Sequence, residues 1–475
     1  MSDLNKLTIT QALSGLKNKE FTSEELTRAC LDVIEDKDLT IKAFITVLHD
    51  SALEQAKQAD KLISSREVEV FNDKPLLGIP YAAKDNFCTK GIETTAGSQV
   101  LKDFVPPYES TVTQRLKDAG AVLLGKTNMD AFAHGSSTEE SDFFTTKNPW
   151  DYARVPGGSS GGSAAAVIAD MCIFAIGSET GGSIRGPASW CGTTGLKPTY
   201  GRVSRYGVIA MASSTDSPGP LTKTATDAAH VLKVLAGKDP LDATTSPVNG
   251  ENYPENLINV SLKGLKVGKP RSYFEIDLQE GVAEKVNGFL KFLENEGAEI
   301  INVDLLDPKY SIAVYTLLQR SEVSSNLARF DGIRYGNDRD SFGFEARKRM
   351  MLGAYALSAG YYDEYYAKAQ KVRTLLVEDF DRVFNRVDIL VGPTMPCVAM
   401  RMGESAENPM FGEMMDKLTE PSTIAGLTGV TVPVGFAEDL PVGAQIMGNR
   451  FRESLVLGIA NAYQKATNFH ERRPE

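Results

Sequence analysis

Between residues 22 and 34, apolar positions recur at the three- and four-residue spacing of a helix. The stretch TSEELTRACLDVIED opens with Thr22 three residues before Glu25, the reciprocal pair that closes a helix start. Its Leu26, Ala29, Cys30, Val33 and Ile34 share one face. KAFITVL then has the compact apolar run of a strand, and SALEQAKQADKLISS returns to a helix with a polar face. PLLGIPYAAKDNF is an apolar strand that ends abruptly in charge at Lys84 and Asp85. STVTQRLKDAG followed by AVLLGKT reads as helix, glycine stop and strand, and CIFAIGSETGGS as a buried strand running into a glycine turn. Residues 275–385 turn mainly helical, as in GVAEKVNGFLKFLENEGA and YYDEYYAKAQKVRTLLVEDFDRVF, before VDILVGPT and GVTVPVGF return to strands. Alternating strands and helices predict an α/β fold with a largely parallel or mixed sheet covered on both faces. No segment is rich enough in Pro, Gly or Ser to divide the chain. The expectation is one domain over residues 1–475, with a helical arm over about residues 1–65 packed on it.

Composition narrows the setting. With 42% hydrophobic and 24% charged residues, the chain is ordinary for a globular protein. A net charge of −11 argues against gripping nucleic acid or an anionic membrane unaided. No stretch approaches the ~20 apolar residues of a membrane span, and the N-terminus lacks a basic segment followed by an apolar one. The five cysteines, at 30, 88, 172, 191 and 397, are scattered and odd in number. They predict free thiols in a reducing, cytoplasmic setting, with neither a disulfide framework nor a zinc site.

Two glycine-rich stretches invite a phosphate-binding reading, and both fail it. GAVLLGKT, residues 120–127, fits G-x-x-x-x-G-K-[ST]. That motif requires a strand, a flexible loop and then a helix. Here a helix precedes Gly120 and the intervening Ala-Val-Leu-Leu is itself a strand, so Gly120 reads as a helix stop and Gly125 as a strand end. VPGGSSGGSAAAV, residues 155–167, offers no lysine to meet a phosphate.

A serine loop suits a different chemistry. A hydroxyl nucleophile needs a proton acceptor, usually histidine, yet His49, His134, His230 and His470 are the only four and none has a distinctive Ser/Asp context. A lysine serves instead when burial makes its neutral form accessible. Lys84, at the end of GIPYAA, fits that description. Ser159 lies in GGSSGGS and Ser183 in GSETGGSIRGPAS, where Thr180, Gly181 and Gly182 precede it. Small residues there can turn their N–H groups inward as an oxyanion hole. Either loop taken alone reads as a simple turn between elements.

Together, a lysine after an apolar strand, GGSSGGS and TGGSIR resemble the amidase signature family over about residues 22–465. The resemblance implies an amidase-signature fold and a Ser-Ser-Lys triad. Ser183 would be the nucleophile, Ser159 the relay (its peptide bond with Gly158 being cis) and Lys84 the ultimate base. The N–H groups of Thr180, Gly181, Gly182 and Ser183 would hold the oxyanion. GKTNMDAFAHGSSTEESDFFTTKNPWD, GLKPTYGRVSRYGVIAMASSTDSPGP, SSNLARFDGIRYG and RMMLGAYALSAGYYDEYY resemble the glutamine-hydrolysing branch that serves tRNA-dependent amidotransferases.

That likeness implies glutamine as substrate, Arg349 for its α-carboxylate, Asp416 for its α-ammonium and Tyr315 as a further pocket residue. It implies two partner subunits, B and C, in a heterotrimer. Ammonia would pass to the partner that amidates Glu-tRNA(Gln) or Asp-tRNA(Asn), and tRNA would be met mainly through that partner. No cofactor is expected in this chain; ATP and Mg²⁺ would belong to the partner. Read without the resemblance, Arg349 is one of several basic residues on a solvated helix and Asp416 a loop or N-terminal-turn acid. A free-standing amidase for another small amide is the alternative, which the charge pair of Arg349 and Asp416 disfavours. The chain departs from the family's usual pattern at Ala131, His134, Gly186, Trp190 and Thr428.

Overall fold

The computed structural model describes residues 3–66, 69–334, 336–407 and 410–474. Among the described residues, eleven strands form one sheet: β1 (Phe44–Val47), β2 (Pro80–Lys84), β3 (Val122–Thr127), β4 (Phe174–Glu179), β5 (Thr194–Lys197), β6 (Ser217–Thr222), β7 (Lys266–Pro270), β8 (Glu299–Val303), β9 (Ile389–Pro393), β10 (Thr428–Ala437) and β11 (Leu440–Gly448). Their order across the sheet is β1-β3-β2-β4-β6-β5-β10-β11-β9-β7-β8. Parallel pairs (β2 with β3 and β4, β7 with β8 and β9) stand on either side of an antiparallel run from β4 to β9, so the sheet is mixed. Side chains of a strand point alternately to opposite faces. β2 to β6, β9 and β11 are buried at every position, so helices cover both faces there. Exposed strand positions lie towards the two ends of the sheet, at Val47 of β1, Lys266 of β7, and Glu299 and Asn302 of β8.

The predicted helices form where their patterns place them. Ser23–Ile41 begins at Thr22, whose hydroxyl accepts from Glu25 N while the Glu25 carboxylate accepts from Thr22 N. Leu26, Cys30, Leu31 and Ile34 make its buried face, with Ala29 and Val33 at the margin. The first 66 residues are more than a helical arm, because β1 pairs antiparallel with β3 and closes one sheet edge.

Two expectations need correction. Gly125 lies inside β3 rather than at its end, and a Cβ there would sit 2.3 Å from Thr46 O, so the glycine lets β1 approach. The segment read as mainly helical contains β8, paired with the equally unforeseen β7. Also unforeseen, β6 is SPGPLT, whose two prolines and glycine argue against a strand on propensity alone.

Candidate active site

β2 carries Lys84 into the interior. The strand lies between two parallel neighbours, in register with β3 (Lys84 opposite Thr127) and with β4. Lys84 is 0% exposed, and its Nζ donates to Ser159 Oγ at 2.7 Å, to Ser178 Oγ at 3.1 Å and to Ser178 O at 3.2 Å. Burial lowers its pKa to about 7 against the opposing pull of Asp130, Asp216 and Glu179. A neutral amine is therefore accessible near neutral pH. Asn86 Nδ2 donates to Ser178 Oγ at 2.8 Å, fixing the hydroxyl that faces the amine.

The glycine-rich loop brings Ser159 to that amine. The Gly158–Ser159 peptide is cis, and Gly157 is the loop's one residue with a positive φ, at +84°. Its other glycines provide room: a Cβ on Gly158 would lie 2.1 Å from Asp130 Oδ2, and one on Gly162 2.5 Å from Asn128 O. Helix Gly161–Ile168 follows, every residue buried. Ser160 N donates to Ser183 O at 3.2 Å, joining this loop to the second serine loop. Among the described residues Ser183 Oγ makes no side-chain hydrogen bond. The Lys84–Ser159 link is therefore closed, whereas the two loops meet through the backbone.

The second loop is clamped by a buried ion pair. Arg185 Nη2 lies 2.6 Å from Glu179 Oε1, both residues 0% exposed. The other Glu179 oxygen accepts from Ile184 N at 3.1 Å and Arg185 N at 3.0 Å, satisfying donors at the start of helix Arg185–Cys191. Arg185 also donates to Gln445 Oε1 at 2.6 Å, Ser422 Oγ at 2.9 Å and Thr419 O at 2.8 Å. Thr180 Oγ1 donates to Asp216 at 2.7 Å, and Gly181 O accepts from Thr423 Oγ1 at 2.9 Å. Among the described residues the N–H groups of Gly181, Gly182 and Ser183 have no acceptor. They are preorganised donors beside a hydroxyl.

Asp416 and Tyr315 flank this loop, and Ser136, which bonds Asp416, also lines the cavity that Arg349 borders. A Cβ on Gly181 would lie 3.1 Å from Tyr315 Cζ and 3.3 Å from Asp416 Oδ2, and one on Gly182 would lie 2.4 Å from Asp416 Oδ1. Asp416 Oδ2 accepts from Ser136 Oγ at 2.9 Å, its Oδ1 has no partner among the described residues, and burial pushes its pKa up to about 8. Arg349 is buried, with Nε on Glu345 Oε1 at 2.7 Å and no acceptor for its two Nη groups among the described residues. It lines a cavity of about 310 Å³ with His134, Ser136, Glu140 and Glu413. The solvated-helix reading of Arg349 and the loop reading of Asp416 are therefore set aside.

Sequence reading missed Glu179, Arg185, Ser178 and Ser136. Only the clustering of Ser136 and Ser137 beside an acidic run hinted at a site, because isolated charges in a strand-loop segment carry no periodic signal. Lys126 of the phosphate-loop look-alike is 0% exposed, 3.1 Å from Asp85 Oδ1, and donates to Phe87 O and Thr94 Oγ1 at 2.9 Å, leaving it nothing for a phosphate.

A buried lysine–serine pair facing a glycine loop with free N–H groups, on a mixed α/β sheet, is the equipment of serine-dependent amide hydrolysis. The chain belongs to the amidase family, whose model matches residues 25–457. At the level of individual proteins, it is 49% identical to the A subunit of glutamyl-tRNA(Gln) amidotransferase from Desulfatibacillum aliphaticivorans, over 99% of each chain. It is also 49% identical to the protein of that name from Microcystis aeruginosa, over 98% of this chain and 99% of that one. Among solved structures, the protein of the same name from Thermotoga maritima superposes with a TM-score of 0.83 at 41% identity, covering 100% of this chain and 99% of that one.

Proposed function

We propose that the chain is the glutaminase subunit of a tRNA-dependent amidotransferase. It hydrolyses glutamine through Ser183, Ser159 and Lys84 and delivers ammonia to a partner subunit that amidates Glu-tRNA(Gln), Asp-tRNA(Asn) or both. The observation that carries the reading is the 2.7 Å contact between a fully buried lysine amine and Ser159, one residue from the backbone link to Ser183.

Neutral Lys84 accepts a proton from Ser159, which takes one from Ser183 as the Ser183 hydroxyl turns towards it. Ser183 Oγ attacks the amide carbon, and the N–H groups of Gly181, Gly182 and Ser183 hold the developing oxyanion. The proton returns through Ser159 to the leaving nitrogen, ammonia departs, and water cleaves the acyl-enzyme. The free fork of Arg349 suits the α-carboxylate as a bidentate partner. Asp416, with Ser136 holding one of its oxygens, suits the α-ammonium. A neutral or fatty amide would leave both charges unanswered, which favours glutamine over other amides. Two partner subunits, B and C, complete the enzyme, with ATP and Mg²⁺ at the partner that activates the tRNA-bound carboxylate. A role in amidating charged tRNA implies work in the cytoplasm. No helix of the described residues is long and apolar enough to cross a membrane.

The test measures ammonia release from glutamine, asparagine and simple amides, with and without partner subunits. Glutamine turnover that rises on complex formation and vanishes in Ser183→Ala is expected. Preference for an uncharged amide would overturn the glutamine assignment, and full turnover by Ser183→Ala would overturn the triad.

A further inference from the structure

His134 is 1% exposed, and both of its ring nitrogens lack a hydrogen-bond partner among the described residues. A buried polar atom left unpaired is costly, and native proteins keep few of them. Two unpaired atoms on one ring therefore ask for an explanation. The ring borders the cavity that Arg349, Ser136 and Glu413 line. It is also held there at some conformational expense. Phe132 and Ala133, immediately before it, take left-handed backbone angles of φ 53° and 64°, which bulky L-residues adopt uncommonly. The constraint is visible. Phe132 N donates to Ala96 O at 2.8 Å, and Ala133 N to Asp130 O at 2.8 Å. The Phe132 ring packs at 5.6 Å on both Phe330 and Phe342 and at 6.1 Å on the His134 imidazole.

The same short segment continues to Ser136, whose hydroxyl holds Asp416 at 2.9 Å. One run of chain thus places His134 on the wall of the cavity that Arg349 lines and a hydroxyl against Asp416. Burial and the nearby Arg349 charge hold the ring neutral, so it offers one N–H donor and one acceptor. Beside a guanidinium whose two Nη groups have no acceptor among the described residues, the complementary ligand group is a carboxylate: one oxygen can accept from the imidazole while the fork is engaged.

We infer that His134 is a substrate-specificity residue, donating a hydrogen bond from its neutral imidazole to the α-carboxylate that Arg349 binds. The inference rests on the glutaminase reading and adds to it a second contact for the carboxylate. His134 takes no part in proton transfer to the triad; it contributes to binding in the ground state and the transition state alike. Its removal raises KM with little change in kcat.

The experiment uses the full-length chain together with its partner subunits and compares wild type, His134→Met and His134→Gln. Methionine keeps the buried volume without a donor, and glutamine restores an N–H. Expected is a KM for glutamine raised about ten-fold or more in His134→Met, with kcat within about two-fold of wild type, and partial recovery of KM in His134→Gln. Melting temperatures of all three report folding. Unchanged KM in His134→Met, or a parallel fall of kcat and melting temperature in both variants, overturns the inference. Absence of glutaminase activity in the wild-type complex would instead overturn the proposed function.

Discussion

Lowering the pH should switch the triad off by protonating Lys84, and the structure sets where. The lysine is 0% exposed, and burial draws its pKa from 10.5 down to about 7. That drop corresponds to roughly 5 kcal/mol against the ammonium. The form needed as base is the deprotonated one, so activity is present above the shifted pKa and lost as pH falls through it. About nine-tenths of the lysine is neutral at pH 8 and about one-tenth at pH 6, so kcat should fall about ten-fold across that interval. Asp416 adds a distinguishable limb, because burial raises its pKa to about 8 and only its ionised form attracts the substrate ammonium. That ionisation governs the free enzyme, whereas a bound ammonium holds the carboxylate ionised. The acid limb of kcat/KM should therefore approach a slope of two, and that of kcat a slope of one. Steady-state ammonia release between pH 5 and 9, with melting temperature followed in parallel, measures both. A kcat independent of pH down to about 5 would refute neutral Lys84 as the base. A slope of one in both profiles would refute the role given to Asp416.

Two further variants probe the pocket and its frame. Arg349→Lys keeps the charge but loses the planar fork, so KM for glutamine should rise at least about ten-fold while kcat changes less; an unchanged KM would remove Arg349 from carboxylate binding. Arg185→Leu leaves Glu179 buried without its cation, which should cost about 3–5 kcal/mol of stability and lower kcat by loosening the loop that carries Gly181 to Ser183. Denaturant unfolding and single-turnover kinetics test it, and wild-type values in both would show that the clamp is dispensable.

Legible in the residues alone were the helix that starts at Thr22, the α/β class and the local settings of Lys84, Ser159 and Ser183, whose proposed roles came from the family resemblance. Those features are local: a reciprocal Thr22–Glu25 cap, an apolar run cut off by charge, and two serine loops are legible without knowing what lies across the fold. β6 and the β7–β8 pair were not legible. SPGPLT is a strand because β4 and β5 pair with its two edges, which no propensity of its own foretells. Gly125 looked like an ending and proved to be an interior residue because β1, about eighty positions earlier in the chain, needs its space. The pairing of Glu179 with Arg185 and the Ser136–Asp416 contact were likewise settled only in three dimensions. A charged or hydroxylated residue has no period, and its meaning comes from the group that folding places opposite it. The nearness of His134 and Arg349, separated by more than two hundred residues, is tertiary for the same reason: low-dielectric burial and shared cavity walls arise only once the sheet has brought distant loops to one end.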